Sequence, residues 1–484
     1  MGAQLVPYLG IAYIAASARN SGHYVDIIDM CGEDIDHTEI IKDKYVAYGM
    51  PFVSLKDRIK NKEVIGFTCM FSQDWIFHRE LIQYVRSLYP NSILVAGGEH
   101  ITALPKFCLN DCKALDVCVI GEADQVFTDL LNAIACGNDM NTVESLVYRD
   151  DKNIKHTTRA NRIQDIDNLP TPAWDLMPIE NYLSRNLNYH IQRGRTIPML
   201  ATRGCPFSCN FCSNLNMWAT PWIHREPKLI VKEMKMYIDK YRVNNFVFSD
   251  LSAVIKKDCI VKLCNEIINN NMDITFQLPT LRTEILDKEL LTLMYRAGCR
   301  ELDFAIESAS DIVLKNANKR NNPKKMVDLI KVALKIKFNL SANIVIGLPK
   351  ENIREFLKTF YMVIKLAFKG MQEINVFPFI PYPGSKLFNE YLKDKKINLN
   401  DIYFLSLFSY GDLSKSISFS RQFGPKTLHF LRLSLLSLFY SIMFLTHPIR
   451  IFKLIKNIRS GKTSTKLENV LNRITRNVKL SYGK

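Results

Sequence analysis

Six strand-like segments alternate with six helix-like segments between residues 196 and 395, and this order restricts the fold more than any other feature of the chain. Apolar strands that alternate with helices form parallel sheets covered by helices. Six βα units are too many for a small wound sheet and too few for a closed eight-fold barrel, so a partial, TIM-like (β/α)6 barrel is predicted. The predicted strands are Ile197–Ala201, Phe246–Ser249, Ile274–Gln277, Glu301–Ile306, Ser341–Ile346 and Glu373–Phe377, and the predicted helices are 227–241, 257–270, 285–297, 323–337, 352–369 and 385–392.

Three cysteines follow the first strand of this predicted barrel. Cys205, Cys209 and Cys212 have the spacing C-x3-C-x2-C on one loop. Thiolates at this spacing can converge on one inorganic cluster, and a cubane [4Fe–4S] cluster has four irons, so three protein ligands leave one iron open. The alternatives are three buried thiols or a structural zinc site, which closes with four ligands, usually from paired cysteines. Only the isolated His224 could be a fourth ligand here, so the spacing favours the iron–sulfur cluster.

This loop, with Phe211 before its third cysteine, resembles the signature of the radical S-adenosylmethionine (SAM) enzymes. Later strand ends are similar to that family in its own order: 304–308 to Gly-x-Glu-Ser, 344–351 to Ile-x-Gly-x-Pro-x-Glu, and 377–385 to Pro-x-Pro-Gly-Thr. The resemblance implies that the three cysteines hold a [4Fe–4S] cluster whose open iron binds SAM. It also implies a set of residues around SAM, namely Phe211, Ser249, Asp250, Arg282, Glu307, Ser308, Gly347 and Glu351.

Residues 1–150 are predicted to form a Rossmann-like α/β domain. A helix-like run covers Leu9–Asn20. Ligands of parallel sheets bind at the carboxyl ends of the strands, and glycines there let the backbone approach a bulky ligand. The strand-like runs are Tyr24–Ile28, Val64–Thr68, Ile93–Ala96 and Val117–Ile120.

This segment resembles the cobalamin-binding domain that precedes the core of one large class of radical SAM enzymes, through 7–13, 22–25, 97–100 and 121–122. The family's first strand is missing, as it would be in a truncated sequence. The segment also lacks Asp-x-His-x-x-Gly, the motif that supplies an axial histidine to cobalt, so His100 is expected to pack at the rim. A degenerate domain that binds nothing is the alternative. The resemblance implies cobalamin contacts from Thr68, Gly97, Gly98, Gly121 and Glu122.

The chain's charge is concentrated at its C-terminal end. Of the net charge of +16, residues 421–484 contribute most, with thirteen Lys and Arg and one acid, Glu468. The domain body is therefore not basic, and nucleic acid is not an expected partner. Residues 151–195 are expected to be a polar connector, 196–395 the barrel, and 396–484 a basic helical region. Twelve cysteines without paired spacing outside the cluster loop indicate a reducing, cytoplasmic location. No signal-peptide pattern is seen in the first twenty residues.

Residues 428–460 combine apolar and basic side chains. The uncharged run Leu433–Thr446 has fourteen residues, whereas a membrane span needs about twenty, so a transmembrane helix is not predicted. Arg450, Lys453, Lys456 and Arg459 then recur among apolar residues, a pattern typical of a helix that lies on an anionic membrane surface. A helical cap packed on the barrel would explain the same pattern.

The cofactors that the resemblance implies would carry the difficult chemistry. A reduced cluster would cleave SAM to methionine and a 5′-deoxyadenosyl radical, with an external donor such as flavodoxin or ferredoxin as electron source. Cobalamin would deliver a methyl group to an unactivated carbon or phosphorus of a small-molecule or lipid-like substrate. The alternatives are a cobalamin-dependent radical cyclase or rearrangement enzyme, and a tRNA methylthiotransferase-like enzyme, which would need a second cluster built from additional cysteines.

Overall fold

The computed structural model describes residues 5–42, 45–59, 62–151, 153–187, 191–278, 281, 284–415, 417–460, 463, 465, 467, 468 and 471. The α-helices are α1 Leu9–Asn20, α2 Met30–Glu33, α3 Leu55–Arg58, α4 Trp75–Leu88, α5 Glu99–Ala103, α6 Pro105–Asp111, α7 Ala123–Cys136, α8 Ile179–Leu183, α9 Asn214–Trp218, α10 Pro227–Tyr241, α11 Lys257–Asn269, α12 Lys288–Arg296, α13 Asp311–Asn316, α14 Pro323–Ile336, α15 Ile353–Phe368, α16 Lys386–Lys393, α17 Asp401–Ser406, α18 Pro425–Thr446 and α19 Ile449–Ser460. The strands are β1 Thr38–Ile41, β2 Tyr45–Tyr48, β3 Val64–Thr68, β4 Ile93–Gly97, β5 Val117–Val119, β6 Leu146–Asp150, β7 Asn153–His156, β8 Thr196–Met199, β9 Thr202–Arg203, β10 Ile223–His224, β11 Asn245–Phe248, β12 Thr275–Gln277, β13 Cys299–Glu307, β14 Asn339–Ile346 and β15 Glu373–Pro378.

The central sheet is a six-stranded, all-parallel sheet in the order β8-β11-β12-β13-β14-β15. Its strands are buried on both faces; eight of the nine residues of β13 are buried, as expected when helices cover one face and a barrel interior the other. The buried residues of β13 include the polar Glu301, Asp303 and Glu307. Asp and Asn side chains cap the helices α12, α14 and α15 at Asp287, Asn322 and Asn352. The predicted partial barrel is confirmed.

The N-terminal sheet has the order β3-β4-β5-β6-β7. Strands β3, β4 and β5 are parallel, as predicted, whereas β6 and β7 form an unpredicted antiparallel hairpin. The sheet thus continues to His156, six residues beyond the boundary expected at residue 150. Alternation of strands with helices could not reveal this hairpin, because the two strands follow each other directly.

The predicted strand Tyr24–Ile28 is wrong. This segment is irregular, although Ile27 is buried and Val25 is half-buried as a strand pattern would require. Within the described residues β3 pairs only with β4, and an apolar cavity lies between its other edge and the segment. Alternation predicts which residues face a core, but a strand also needs a neighbouring backbone to hydrogen-bond.

The two sheets share their apolar cores. Ala12 and Tyr13 of α1 belong to the same buried cluster as Ile197 and Phe246 of the barrel. A second cluster joins the N-terminal domain to Val345 and other residues at the carboxyl ends of the barrel strands. The N-terminal domain therefore lies over the end of the barrel where ligands of such folds bind.

The C-terminal region packs on the barrel rather than forming a separate layer. The inner face of α18 covers β15, and the buried Arg432 donates a 2.8 Å hydrogen bond from Nε to the Val376 carbonyl. Covering an edge strand in this way protects it from pairing with other chains. By length and composition alone α18 could cross a membrane, and 33% of its most apolar window is buried within the protein.

Candidate functional site

The loop with the three cysteines leaves the barrel at the carboxyl end of β8. After β9 the chain turns at Gly204, whose φ of +86° lies in the left-handed region. A Cβ at Gly204 would lie 2.2 Å from the Pro221 carbonyl oxygen, so only glycine fits there. The turn directs the following residues across the top of the barrel.

The cluster loop is held by backbone and amide contacts. The Asn210 N–H donates to the Ala317 carbonyl at 3.0 Å, and the Leu387 N–H donates to the Asn210 carbonyl at 2.9 Å. Asn318 donates from Nδ2 to the Ser208 carbonyl at 2.8 Å. These contacts tie the loop to the turn after α13 and to the first turn of α16. The aromatic ring of Phe211 packs against the apolar cluster shared by the two domains.

The three predicted cluster ligands lie on this loop with different exposures. Cys209 is buried, and Cys205 is half-buried. Cys212 keeps accessible surface, yet protein atoms surround its thiol on most sides, and this desolvation, with smaller contributions from Cys209 and Glu99, raises the pKa of Cys212 to about 12. Across the described residues no three Cys, His, Asp or Glu side chains stand in metal-ligating geometry. Three thiols are a suitable donor set for an iron–sulfur cluster. To bind the cluster, the three thiols must move closer to one another.

Ser249 and Asp250, at the end of β11, lie beside the start of this loop. Ser249 is exposed, whereas Asp250 is buried and accepts a 3.2 Å hydrogen bond from the Ala201 N–H. Burial raises the pKa of Asp250 to about 6, opposed by hydrogen bonds from Thr202 and Ala201. Asp250 therefore holds the backbone that leads into the cluster loop, a role that the predicted SAM contact did not include.

Glu307 ends β13 at a bulge, with a φ of +61°. Its carboxylate forms a buried 2.9 Å ion pair with Nζ of Lys319, a residue that the sequence did not single out. Burial, followed by the charges of Glu307 and Cys212, raises the pKa of Tyr410. The neighbouring Ser308 lies against α15, where its hydroxyl is 3.2 Å from Thr359.

Gly347 and Glu351 form a closed turn after β14. Glu351 is fully buried; one carboxylate oxygen accepts a hydrogen bond from the Gly347 N–H, and the other has no partner among the described residues. Burial raises the pKa of Glu351 to about 8, so this carboxyl is largely protonated at neutral pH. Arg282, also predicted near SAM, lies outside the described residues.

A cavity of about 510 Å³ connects the N-terminal strand ends with the barrel. Most of its wall is apolar, a common property of cofactor sites. The barrel contributes Ser249, Asp250 and the segment Thr202–Gly204 to the same wall. All five predicted cobalamin residues line it, namely Thr68, Gly97, Gly98, Gly121 and Glu122.

Two of these glycines have backbone conformations that favour glycine. Gly98 has a φ of +112° and Gly121 a φ of +80°. A Cβ on Gly98 would lie 2.6 Å from the Cys69 carbonyl oxygen, whereas a Cβ on Gly97 would approach Val119 no closer than 3.8 Å. The strand end thus combines one glycine needed for folding with another that leaves space. Open backbone beside an apolar wall fits a large ring-shaped cofactor.

Glu122 takes part in an ion network between the two domains. Its carboxylate lies 2.6 Å from Nε of Arg162 and 3.3 Å from Arg203. Arg203, directly before the cluster loop, also binds Asp124 through two hydrogen bonds of 2.8 and 3.0 Å. The guanidinium of Arg203 stacks over Tyr13 at 5.1 Å. The sequence analysis did not identify Arg203 or Asp124 as site residues. Their positions were the available signal, because Arg203 precedes the cluster loop and Asp124 follows the Gly121-Glu122 motif.

His100 lies in the core instead of at the rim where it was expected. It is fully buried, its Nδ1 is 2.9 Å from the Ser72 hydroxyl, and its Nε2 is 3.4 Å from Sγ of Cys108. Burial lowers the pKa of His100 to about 3, which keeps the ring neutral. The additional N-terminal cysteines, Cys69 and Cys112 among them, show no metal-ligating group within the described residues.

Two family models match the chain along most of these elements. The radical SAM superfamily model matches residues 199–363, and the B12 binding domain model matches residues 3–131. The chain belongs to the radical SAM proteins that carry an N-terminal cobalamin-binding domain. It is a radical SAM enzyme, and its cofactors are a [4Fe–4S] cluster, SAM and cobalamin.

The relatives place the chain among cobalamin-type radical SAM proteins of several activities. It is 25% identical over 381 residues to an uncharacterized methyltransferase of Pyrococcus horikoshii, covering 79% of this chain and 77% of that protein. It is 25% identical over 398 residues to the anaerobic magnesium-protoporphyrin IX monomethyl ester cyclase of Cereibacter sphaeroides, covering 80% of this chain and 61% of the cyclase. The fold matches the methyltransferase TsrM of Kitasatospora setae, solved with cobalamin and a [4Fe–4S] cluster, with a TM-score of 0.66 at 14% identity, covering 81% and 76% of the two chains.

Proposed function

We propose that this protein is a cobalamin-dependent radical SAM methyltransferase that methylates an unactivated carbon or phosphorus of a small, apolar or lipid-like molecule. The observation that carries the proposal is the shared cavity. One wall consists of the predicted cobalamin contacts, and the other includes Ser249, Asp250 and the residues that lead into the cluster loop. Such an arrangement lets two cofactors act on one substrate, because reacting groups must be held within contact distance.

When bound, the cluster supplies the electron that cleaves SAM to the 5′-deoxyadenosyl radical, and cobalamin supplies the methyl group. The chain's own residues would position these groups and exclude water. Cys205, Cys209 and Cys212 would hold the cluster on a loop fixed by Asn210 and its neighbours. Glu307, paired with Lys319, would present a carboxylate at the end of the fourth strand of the barrel. Glu351 would present a neutral carboxyl after the fifth strand of the barrel.

The substrate class is inferred from the cavity wall and from the relatives. Most of the cavity wall is apolar, so the space beside cobalamin would favour an apolar substrate. The related proteins named as methyltransferases support methyl transfer. We further propose that the electron comes from an external donor such as flavodoxin or ferredoxin.

The second candidate is a radical cyclase or rearrangement enzyme, favoured by the similarity to the protoporphyrin ester cyclase. The two reactions differ in what becomes of SAM. Methyl transfer releases S-adenosylhomocysteine as well as 5′-deoxyadenosine, whereas cyclisation without methyl transfer releases no S-adenosylhomocysteine.

The test begins with anaerobic reconstitution using iron, sulfide and hydroxocobalamin. Gel filtration should leave about four irons and one cobalt bound per chain. The loaded protein is then incubated with SAM and a reductant, and both nucleoside products are quantified with candidate apolar substrates. S-adenosylhomocysteine together with a methylated product supports methyl transfer. 5′-Deoxyadenosine with a converted but unmethylated substrate favours the cyclase, and iron without cobalt contradicts both.

A further inference from the structure

The outer side of the barrel formed by α15, α18 and α19 differs from the rest of the surface. Helices α15 and α18 run side by side in the same direction. Near their starts, a Cβ built on Gly347 would lie 3.1 Å from Leu428; near their ends, a Cβ built on Gly370 would lie 2.7 Å from His447. Arg450, at the start of α19, donates to the Gly370 and Met371 carbonyls. The outer faces of the three helices therefore form one continuous surface, which we call the α15–α18–α19 face.

The outer face of α15 is apolar and basic. Tyr361 is 60% exposed and Phe368 is 59% exposed. Both lie on the face of α15 that points away from the core. Lys365 and Lys369 are exposed between and beside them. The helix's acidic residue, Glu355, is buried. No carboxylate of α15 therefore reaches this surface.

The outer faces of α18 and α19 have the same character. Phe430 is 68% exposed and Leu445 is 81% exposed, and Phe452 of α19 is 73% exposed. Lys456 and Arg459 stand exposed beside Phe452. Residues 413–467 include no Asp or Glu, so this part of the surface is positive as well as apolar.

The other outer helices of the barrel have ordinary charged surfaces. Lys257 of α11 forms an exposed ion pair with Asp287 before α12, and Lys331 pairs with Asp328 on α14. Both signs of charge alternate there, as is usual for a face in water. Large exposed apolar groups on a protein surface mark a site of interaction. On the outer barrel helices the most exposed ones lie on this side, whereas Leu229 and Met236 of α10 are each only 38% exposed.

We propose that the α15–α18–α19 face docks the protein onto an anionic lipid membrane. Basic residues attract an anionic surface, and aromatic and aliphatic side chains enter the headgroup region. A second copy would bring an equally positive face and would be repelled. This inference does not depend on the proposed methyl transfer.

The docking is peripheral, because α18 is fixed to the barrel. Leu431, Leu435 and Phe439 of its inner face are buried. The guanidinium of Arg432 donates to four backbone carbonyls, those of Val376, Ser409, Tyr410 and Asp412. Crossing the bilayer would expose this arginine and break these bonds. The helix lies along the membrane surface with its outer face only.

The test is flotation of the full-length protein with vesicles of phosphatidylcholine alone or mixed with phosphatidylglycerol. We expect flotation with the mixed vesicles, reduced by high salt and reversed by alkaline carbonate. Lys456→Glu with Arg459→Glu should weaken vesicle binding about tenfold or more, and Leu445→Ser with Phe452→Ser should abolish flotation. Matched controls on the opposite side are Lys262→Glu on α11 and Leu229→Ser on α10, both exposed, which should float as the parent does.

Four results would overturn the proposal. The first is absence of flotation with anionic vesicles, and the second is equal flotation of the variants and their controls. The third is resistance to carbonate extraction, which would mean that α18 crosses the bilayer. Sedimentation velocity provides the remaining check: a dimer dissociated by Leu445→Ser with Phe452→Ser would assign the face to a second copy. Iron content and circular dichroism of each variant show that the fold is intact, independently of any enzyme activity.

Discussion

The two walls of the central cavity are built from different chemistry. The barrel wall carries the carboxyl of Asp250 and the turn Thr202–Gly204, which leads into the loop with the three thiols. The N-terminal wall carries glycines and apolar side chains, among them Gly97 and Phe67. Metal and charge need specific donors, whereas a large organic ring needs space and apolar contact. Each wall therefore suits a different cofactor, and substitutions on one wall should impair the binding of one cofactor without affecting the other.

One buried arginine links the walls. Arg203 precedes the cluster loop, and its guanidinium binds Asp124 and Glu122 of the N-terminal domain. All three side chains are largely buried. The two hydrogen bonds from Arg203 to Asp124 give this link a defined geometry, which apolar packing alone does not. Substitutions on either wall and at this link should thus have distinct effects.

The largest effect is expected from the cluster loop that follows the barrel wall. Replacing Cys205, Cys209 or Cys212 by alanine should reduce bound iron from about four per chain to near zero, because two thiolates do not hold a cubane with an open iron. Cobalamin binding should persist, since the N-terminal wall is unchanged. Iron and cobalt analysis after reconstitution measures both. Cys136→Ala, on the exposed end of α7, is the matched control and should keep its iron. Retention of iron or of SAM cleavage in any of the three variants would contradict the cluster assignment.

The next effect is expected at the link between the walls. Arg203→Leu leaves the buried Asp124 without its cation, while Glu122 keeps its ion pair with Arg162. The unpaired buried carboxylate should lower the free energy of unfolding by about 3–5 kcal/mol. Chemical denaturation followed by fluorescence measures this loss. Arg19→Leu is the matched control. Its ion pair with Asp175 likewise joins two segments distant in sequence, α1 and the connector, but this pair is exposed. The control should cost less than about 1 kcal/mol. Similar losses for both variants would show that burial of the Arg203 pair is unimportant.

A smaller and more local effect is expected on the N-terminal wall. Gly98→Ala places a Cβ 2.6 Å from the Cys69 carbonyl oxygen at a positive φ. The combined strain should destabilise the protein by about 2–4 kcal/mol and weaken cobalamin binding, with bound iron retained. Gly97→Ala is the adjacent control, since its Cβ would have only ordinary contacts. Thermal unfolding and spectroscopic cobalamin titration distinguish the two. Equal stability of both variants would contradict the strain argument.

The sequence predicted the barrel well because its strands and helices are long, periodic and regularly ordered. Within the N-terminal domain the same reasoning predicted Val64–Thr68 but failed at Tyr24–Ile28. The apolar pattern is present in both segments, yet only β3 has a partner strand among the described residues. Local pattern therefore predicts burial, while hydrogen-bonded pairing depends on neighbours distant in sequence.

Motif positions were predictable, whereas their partners were not. Glu307 and Glu122 were identified from their motifs, but Lys319 and Arg203, which pair with them, were not. Ser308 shows the reverse case, since a residue within a motif lies against α15 instead of the site. Which side chain meets which carboxylate is decided by strand register and loop packing. These pairings therefore cannot be predicted from the sequence alone.

The last predicted effect depends on pH and concerns Glu351, in the turn after β14. Burial raises its pKa from 4.5 to about 8, so the folded protein binds a proton that the unfolded chain has already lost above about pH 5. The native state is therefore progressively penalised as the pH rises from about 5 to 8. Glu351→Gln keeps an oxygen acceptor for the Gly347 N–H but cannot ionise, so this pH-dependent penalty should disappear. Melting temperatures of both proteins should converge near pH 5 and differ by several degrees at pH 8, with the variant more stable. A constant difference across this range would show that Glu351 does not titrate there. Lys319→Met, which removes the cation from Glu307 instead, should leave the Glu351 profile in place, because that penalty arises from burial rather than from ion pairing.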